Sequence, residues 1–160
     1  MQGGGPDPGP PPSCCLLEDR RDCCQSWGVT KGARLSPGTD HRVLLVCDHA
    51  SNAVPDGIEL GVPPAAMHEH VALDIGAEAV TEAVSARLGC RAWLATASRL
   101  VVDCNRPPDH AIPEKSDGIV IPGNVGLADA ERARRLALHD DFHDGLDALV
   151  AAARPQLMVS

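Results

Sequence analysis

Val43-Leu44-Leu45-Val46-Cys47-Asp48-His49-Ala50-Ser51-Asn52 begins with five apolar residues in a row and turns polar in a single step. A short continuous apolar run bounded by polar residues suits a strand buried on both faces, as in parallel sheets. Asp48 to Gly57 then reads as loop, with Asn52, Pro55, Asp56 and Gly57 as turn residues. From about residue 74 to 88, Ile75, Ala79 and Ala83, with Val80, Val84 and Leu88, recur at helical spacing, and Gly89 stands where a left-handed C-terminal residue is wanted. Residues 91–95 and 99–103 read as two further short strands. Arg106 to Gly126, rich in proline and glycine, reads as an irregular excursion of the kind that tends to carry function. A long helix is expected from about Asp129 to Ala153, where Leu136, Phe142, Leu146, Leu149, Val150 and Ala153 form an apolar stripe and Pro155 ends it. Residues 156–160 look like the start of another core strand. Strand, helix, strand, helix, strand predicts an α/β fold on a mostly parallel sheet flanked by helices, with right-handed crossovers. A chain that stops on a core strand is expected to be truncated at its C-terminal end.

Upstream of this pattern the composition changes. Residues 1–40 hold 13 of the 29 Gly and Pro and four of the seven Cys, and the opening Gly3-Gly4-Gly5-Pro6-Asp7-Pro8-Gly9-Pro10 cannot bury apolar surface. This segment is expected to be a disordered extension, or upstream sequence included by a wrong start, preceding a domain over 41–160. Cys14-Cys15 and Cys23-Cys24 are adjacent pairs without the spacing or the nearby His of a zinc site.

The whole chain has 160 residues, a net charge of −8 and only three aromatic residues, Trp27, Trp93 and Phe142. That is about one domain, with a core of aliphatic side chains. An acidic chain is a poor partner for nucleic acid or an anionic membrane, both of which need a basic field. No run reaches the ~18 apolar residues of a membrane span, and the N-terminus lacks a basic stretch followed by an apolar one. The expectation is a soluble, unexported, cytoplasmic protein. Oligomeric state is not legible.

Several residues could carry chemistry. His49 follows the first strand at its carboxyl end, where open α/β sheets gather ligands and catalytic groups; beside Asp48 it could be a metal ligand, a base, or a histidine bonded within its loop. Asp103-Cys104-Asn105-Arg106 ends another apolar run. Arginine's planar fork matches a carboxylate and Asn adds uncharged donors, so Asn105-Arg106 suits an anionic substrate, with Asp103 holding the arginine; an ordinary surface pair is the alternative. Asp74 lies at a helix start, as a cap or, near His49, as a carboxylate for zinc. His139 and His143 share a helix face at the spacing of zinc-binding His pairs, but Asp140 stands where that motif has Glu, and a solvated face is the expectation. Cys47 and Cys104 allow a cysteine nucleophile with His49 as base, although strand cysteines are usually inert.

Taken in order, Cys47-Asp48-His49-Ala50-Ser51-Asn52, His70-Val71-Ala72-Leu73-Asp74-Ile75-Gly76-Ala77, Ser98-Arg99-Leu100-Val101-Val102-Asp103-Cys104-Asn105-Arg106-Pro107-Pro108 and Pro122-Gly123-Asn124 resemble the N-formylglutamate amidohydrolase family over roughly residues 42–160. That resemblance implies a phosphorylase/hydrolase-like fold similar to zinc exopeptidases and aspartoacylases, and hydrolysis of N-formylglutamate to formate and glutamate in histidine breakdown. It implies His49 and Asp74 as ligands of a divalent metal, and Asn105 and Arg106, with Asp103, Ser51 and Asn52, as the substrate-binding set. The partner is then a small acylated amino acid. Zinc is the expected metal, although cobalt or manganese suit the same ligands.

Departures from the family pattern count as well. Related exopeptidases carry Glu three residues after the first His, where this chain has Asn52. Family members continue into a segment with a further His, so a third ligand and the general base are expected beyond Ser160, with Glu114 as the acid of the excursion best placed to substitute. Two other readings stay open: a non-catalytic fragment that binds an anionic small molecule or a partner, and a cysteine hydrolase.

Overall fold

The computed structural model describes residues 30–160, so the expectations for the proline-rich opening and the two adjacent cysteine pairs lie outside the described residues. The apolar run becomes the inner end of β2 (Asp40–Cys47), exposed at its start and buried from Leu44 to Cys47. Side chains alternate across a strand. Leu44 and Val46 therefore pack on one face with Trp93, Phe142 and Leu149, while Leu45 and Cys47 pack on the other with Ala92 and Leu94. One run of sequence thus supplies both faces of the sheet.

That sheet has four strands, in the order β1 (Ala33–Ser36), β3 (Cys90–Ala95), β2 and β6 (Leu157–Val159). The inner β3 (Cys90–Ala95) is buried along its whole length. It runs parallel to β2, with Leu44 opposite Arg91 and Cys47 opposite Leu94. The short β6 (Leu157–Val159) is also parallel to β2, whereas β1 (Ala33–Ser36) is antiparallel to β3. The result is an α/β fold on a mixed sheet. The expected boundary near residue 40 falls inside it: Ala33–Ser36, assigned from composition to the extension, pair with β3, and Ala33 is wholly buried. Neighbouring Gly, Pro and Ser residues hid a strand of only four residues.

Helix α1 (Ala77–Leu88) starts three residues later than expected, behind Gly76, and ends at Gly89, whose φ of 65° is the left-handed C-terminal conformation read from the sequence. Its contacts with the sheet run along β2 and β3, yet Ile75, Val80, Val84 and Leu88 face solvent. Helix α2 (Asp129–Ala153) keeps the expected bounds. It packs Phe142 and Leu149 against Trp93, whose indole N–H donates to the Phe142 carbonyl at 3.0 Å. Gly145 makes the approach possible: a Cβ there would lie 2.5 Å from the Trp93 ring.

The apolar stretch at 99–103 is not a strand. Val101 and Val102 both donate their N–H to the Ser98 carbonyl, and Leu100, Val101 and Val102 fill a separate core with Ile58, Leu60, Ala111, Ile112 and Ile121. Burial without pairing gives the same hydropathy as a strand. The 106–126 excursion contains a hairpin, β4 (Lys115–Ser116) and β5 (Ile119–Val120), turned by Asp117-Gly118 with both residues at positive φ. Arg135 of α2, buried, closes the far end of this excursion on Asn124 and the Gly123 carbonyl, while Asn124 donates to the carbonyls of Leu100 and Pro113. Among the described residues no helix is long and apolar enough to cross a membrane.

Candidate active site

His49 leaves the carboxyl end of β2 and is 4% exposed. Its position is fixed from two sides. The backbone N–H of Asp74 donates to the His49 carbonyl at 3.1 Å, which brings the segment before α1 over the strand end. The turn after Ser98 carries Asp103 in from the other side. As a result Nε2 of His49 sits 2.7 Å from Asp103 Oδ1, and Nδ1 sits 3.3 Å from Asp74 Oδ2. Two carboxylates 29 residues apart in sequence hold the two nitrogens of one imidazole.

Asp103, itself buried, is the junction of the site. Besides His49 it accepts the Asn105 N–H at 3.0 Å, Arg106 Nε at 3.1 Å and Arg99 Nη2 at 3.3 Å. Arg99 spans the site, because its Nη1 reaches Asp74 Oδ1 at 3.1 Å. Burial alone would raise the Asp103 carboxyl, but the hydrogen bond and charge of His49, the Asn105 N–H and Arg99 outweigh it and hold it at about 2. For His49 burial disfavours the cation, and the Asp103 hydrogen bond with the charges of Asp48 and Asp103 outweighs that, so its pKa is raised. Both shifts favour the charged forms of the pair.

Sequence placed His49, Asp74, Asp103, Asn105 and Arg106 in one site, and the fold brings all five together. Arg106 spends Nε on Asp103 and is otherwise half exposed. Ser51 and Asn52 sit on the loop after His49, where Ser51 Oγ accepts the Ala53 N–H at 3.0 Å and Asn52 Nδ2 donates to the Met67 carbonyl at 2.8 Å. Both side chains hold that loop in shape. Glu114 is exposed beside β4, and its side chain has no hydrogen bond or ion pair with the His49 cluster. Cys47 and Cys104 are buried, and burial pushes the Cys104 thiol up to about 12. The ring nitrogens of His49 face the two carboxylates rather than either thiol.

Two features were not read from the sequence. Arg99 stands four residues before Asp103, a spacing that hints at a pair, but only the turn at 98–102 shows that it bridges both carboxylates. The expected solvated face of His139 and His143 is overturned: His139 is 6% exposed, His143 is half-buried, and both face the loop after Asp103. Their spacing to Phe142, Leu146 and Leu149 puts them on the apolar stripe of α2, and that was the available signal.

The donor chemistry suits a divalent metal in part. A neutral His49 whose Nε2–H is held by Asp103 presents a lone pair at Nδ1 toward Asp74, the carboxylate–histidine arrangement that orients metal ligands. Catalytic zinc usually takes three protein ligands. Among the described residues no group of three His, Cys, Asp or Glu side chains is placed to hold a metal.

Comparison with known proteins gives a family match and matches among solved structures. A family profile for N-formylglutamate amidohydrolase matches residues 41–159. A crystal structure of a gene product from Agrobacterium tumefaciens is similar in fold, with a TM-score of 0.71 and 34% sequence identity over 80% of this chain. The match covers 54% of that protein, so the chain spans about half of its length. No curated protein matches the chain.

Proposed function

This chain belongs to the N-formylglutamate amidohydrolase family, and from that premise we propose that it acts in hydrolysis of an N-formyl or N-acyl amino acid, with N-formylglutamate as the first substrate to test. Water would add to the formyl carbonyl, the C–N bond would break, and formate and glutamate would leave, the amine taking up the proton. The observation that carries the reading is the double use of Asp103: Oδ1 orients His49, and Oδ2 holds Arg106 and Arg99. One buried carboxylate thus sets the distance between the reacting end of the site and its anion-binding end.

Among the described residues no hydrogen bond engages the two terminal nitrogens of Arg106, which would meet a substrate carboxylate with the Asn105 amide beside them to complete the grip. Asp103 keeps the guanidinium from swinging away. His49 and Asp74 are the groups placed to hold the attacking water and its proton. If the reaction uses a divalent metal such as zinc, His49 and Asp74 would hold it, and it would supply Lewis acidity and a more acidic water. Ser51 and Asn52 then shape the loop beneath the scissile bond, and Glu114 remains a candidate proton carrier only if the hairpin moves toward the site.

Anion binding without turnover is a second reading, favoured by the half-exposed Arg106. Formate release from N-formylglutamate separates the two, measured with metal content on this chain and on a form extended to the length of the Agrobacterium protein. His49→Ala is expected to lower kcat by roughly 10²-fold or more, the worth of a positioned acid–base group. Arg106→Ala is expected to raise KM by about 10- to 100-fold with a smaller change in kcat, as for a lost charge-assisted bond. Glutamate binding with no formate from either form would favour the second reading, and indifference of activity to both substitutions would overturn the site.

A further inference from the structure

After Asp103 the chain runs through Cys104-Asn105-Arg106-Pro107-Pro108, and α2 passes behind it. Asn105, Arg106 and the two prolines, with His139 and His143, line a cavity of about 390 Å³. The prolines have no N–H to donate, and the N–H groups of Asn105 and Arg106 already bond Asp103, so what this segment offers α2 is its carbonyls. That is what the helix provides. Nε2 of His139 lies 3.0 Å from the Arg106 carbonyl oxygen, and Nε2 of His143 lies 2.9 Å from that of Cys104. A carbonyl only accepts, so both rings carry their proton on Nε2. Two successive turns of one helix hold the carbonyls on either side of Asn105.

The rings are themselves braced. They lie 4.4 Å apart, centre to centre, and Phe142 meets His143 edge-on at 5.3 Å. His139 also bears a cost: among the described residues its buried Nδ1 has no hydrogen-bond partner, the carboxylate of Asp140 being 3.7 Å away. A buried unmade bond carries a desolvation cost, which a phenyl ring of similar shape would avoid. What histidine supplies at this position is therefore the donor, not the packing.

We propose that His139 and His143 are positioning residues that clamp the Cys104 and Arg106 carbonyls and so fix the direction in which Asn105 and Arg106 face a substrate carboxylate. The inference rests on the reading of that pair as the anion-binding end of the site. Its test uses His139→Phe, His143→Phe and His139→Gln, in which only the glutamine can still donate. Amide hydrogen exchange at Asn105 and Arg106 reads the clamp, and calorimetric binding of N-formyl-L-glutamate reads its consequence.

Each Phe variant is expected to speed exchange at those two amides, and to weaken binding, by roughly 5- to 10-fold, the worth of one hydrogen bond. His139→Gln is expected to restore both. Unchanged exchange in folded Phe variants overturns the proposal, and so does faster exchange spread over the whole chain, which would mark both histidines as ordinary core residues. If His139→Phe does not fold, His143→Phe against His143→Gln carries the same comparison at the half-buried position. Local acceleration in a protein whose native form takes up no N-formylglutamate supports the clamp and refutes the functional reading instead.

Discussion

Four donors converge on the buried Asp103 carboxylate, and two of them, His49 and Arg106, stand at opposite ends of the site. Its ionisation therefore sets how the site responds to pH. A carboxyl held at about 2 contributes stability that is present above its unfolded value near pH 4 and lost as pH falls toward 2. An imidazole held above its ordinary value contributes stability that is present below about pH 6.5 and lost as pH rises through the folded value. Urea unfolding of the metal-free protein should show a plateau between about pH 4 and 6.5 with losses on both sides. Asp103→Asn should cost about 3 kcal/mol on that plateau, since it strands a buried cation, and should remove most of the alkaline loss. A native curve that stays flat from pH 6.5 upward would contradict the raised His49. His49 was legible because it follows an apolar run that is a strand, at the end where α/β sheets gather polar groups; Asp103, Asn105 and Arg106 follow a run that only imitates one, and Asp74 was read from its place at a helix start. Arg99 was not legible, because its two partners meet only through a turn whose hydropathy imitates a strand.

Among the elements, α2 shows most directly how sequence becomes fold. Its apolar period and Pro155 gave both its ends, and the same stripe, read with its histidines included, would have turned His139 and His143 inward. Helix α1 was legible as a helix through Gly89, but its valines were read as a packing face and they meet solvent. Periodicity locates a helix; it does not say which side of the stripe is covered. Strand β1 escaped because four residues are too few for a pattern. Gly145 gives the sharpest test of the α2 docking. Replacing a helical glycine by alanine ordinarily stabilises by about 1 kcal/mol, yet here the new methyl would overlap the Trp93 ring. Gly145→Ala is expected to destabilise by a net ~1–3 kcal/mol, as overpacking does, measured by urea midpoint. A gain in stability would mean that α2 sits farther from β3 than described.

Among the described residues, large apolar side chains are left uncovered on the outer side of α1 with Ile75, Val80, Val84 and Leu88, at Val120 and Val125 of the excursion, and on β6, at the edge of the sheet, with Leu157, Met158 and Val159. An edge strand with unpaired backbone groups and apolar side chains invites association. Light scattering of this chain should show a mass that rises with concentration, and Met158→Lys, which charges the edge without touching the core, should lower that rise. An identical concentration dependence in the variant would place the association elsewhere. The seating of Trp93 against α2 also gives the molecule an optical handle. The chain has no tyrosine and two tryptophans, so in a Trp27→Phe variant tryptophan-selective excitation would light a single indole, whose N–H is bonded to the Phe142 carbonyl. Its emission colour would then report, in real time, whether the helix that bears His139 and His143 is seated on the sheet, and would distinguish a loosened helix from a merely unloaded site.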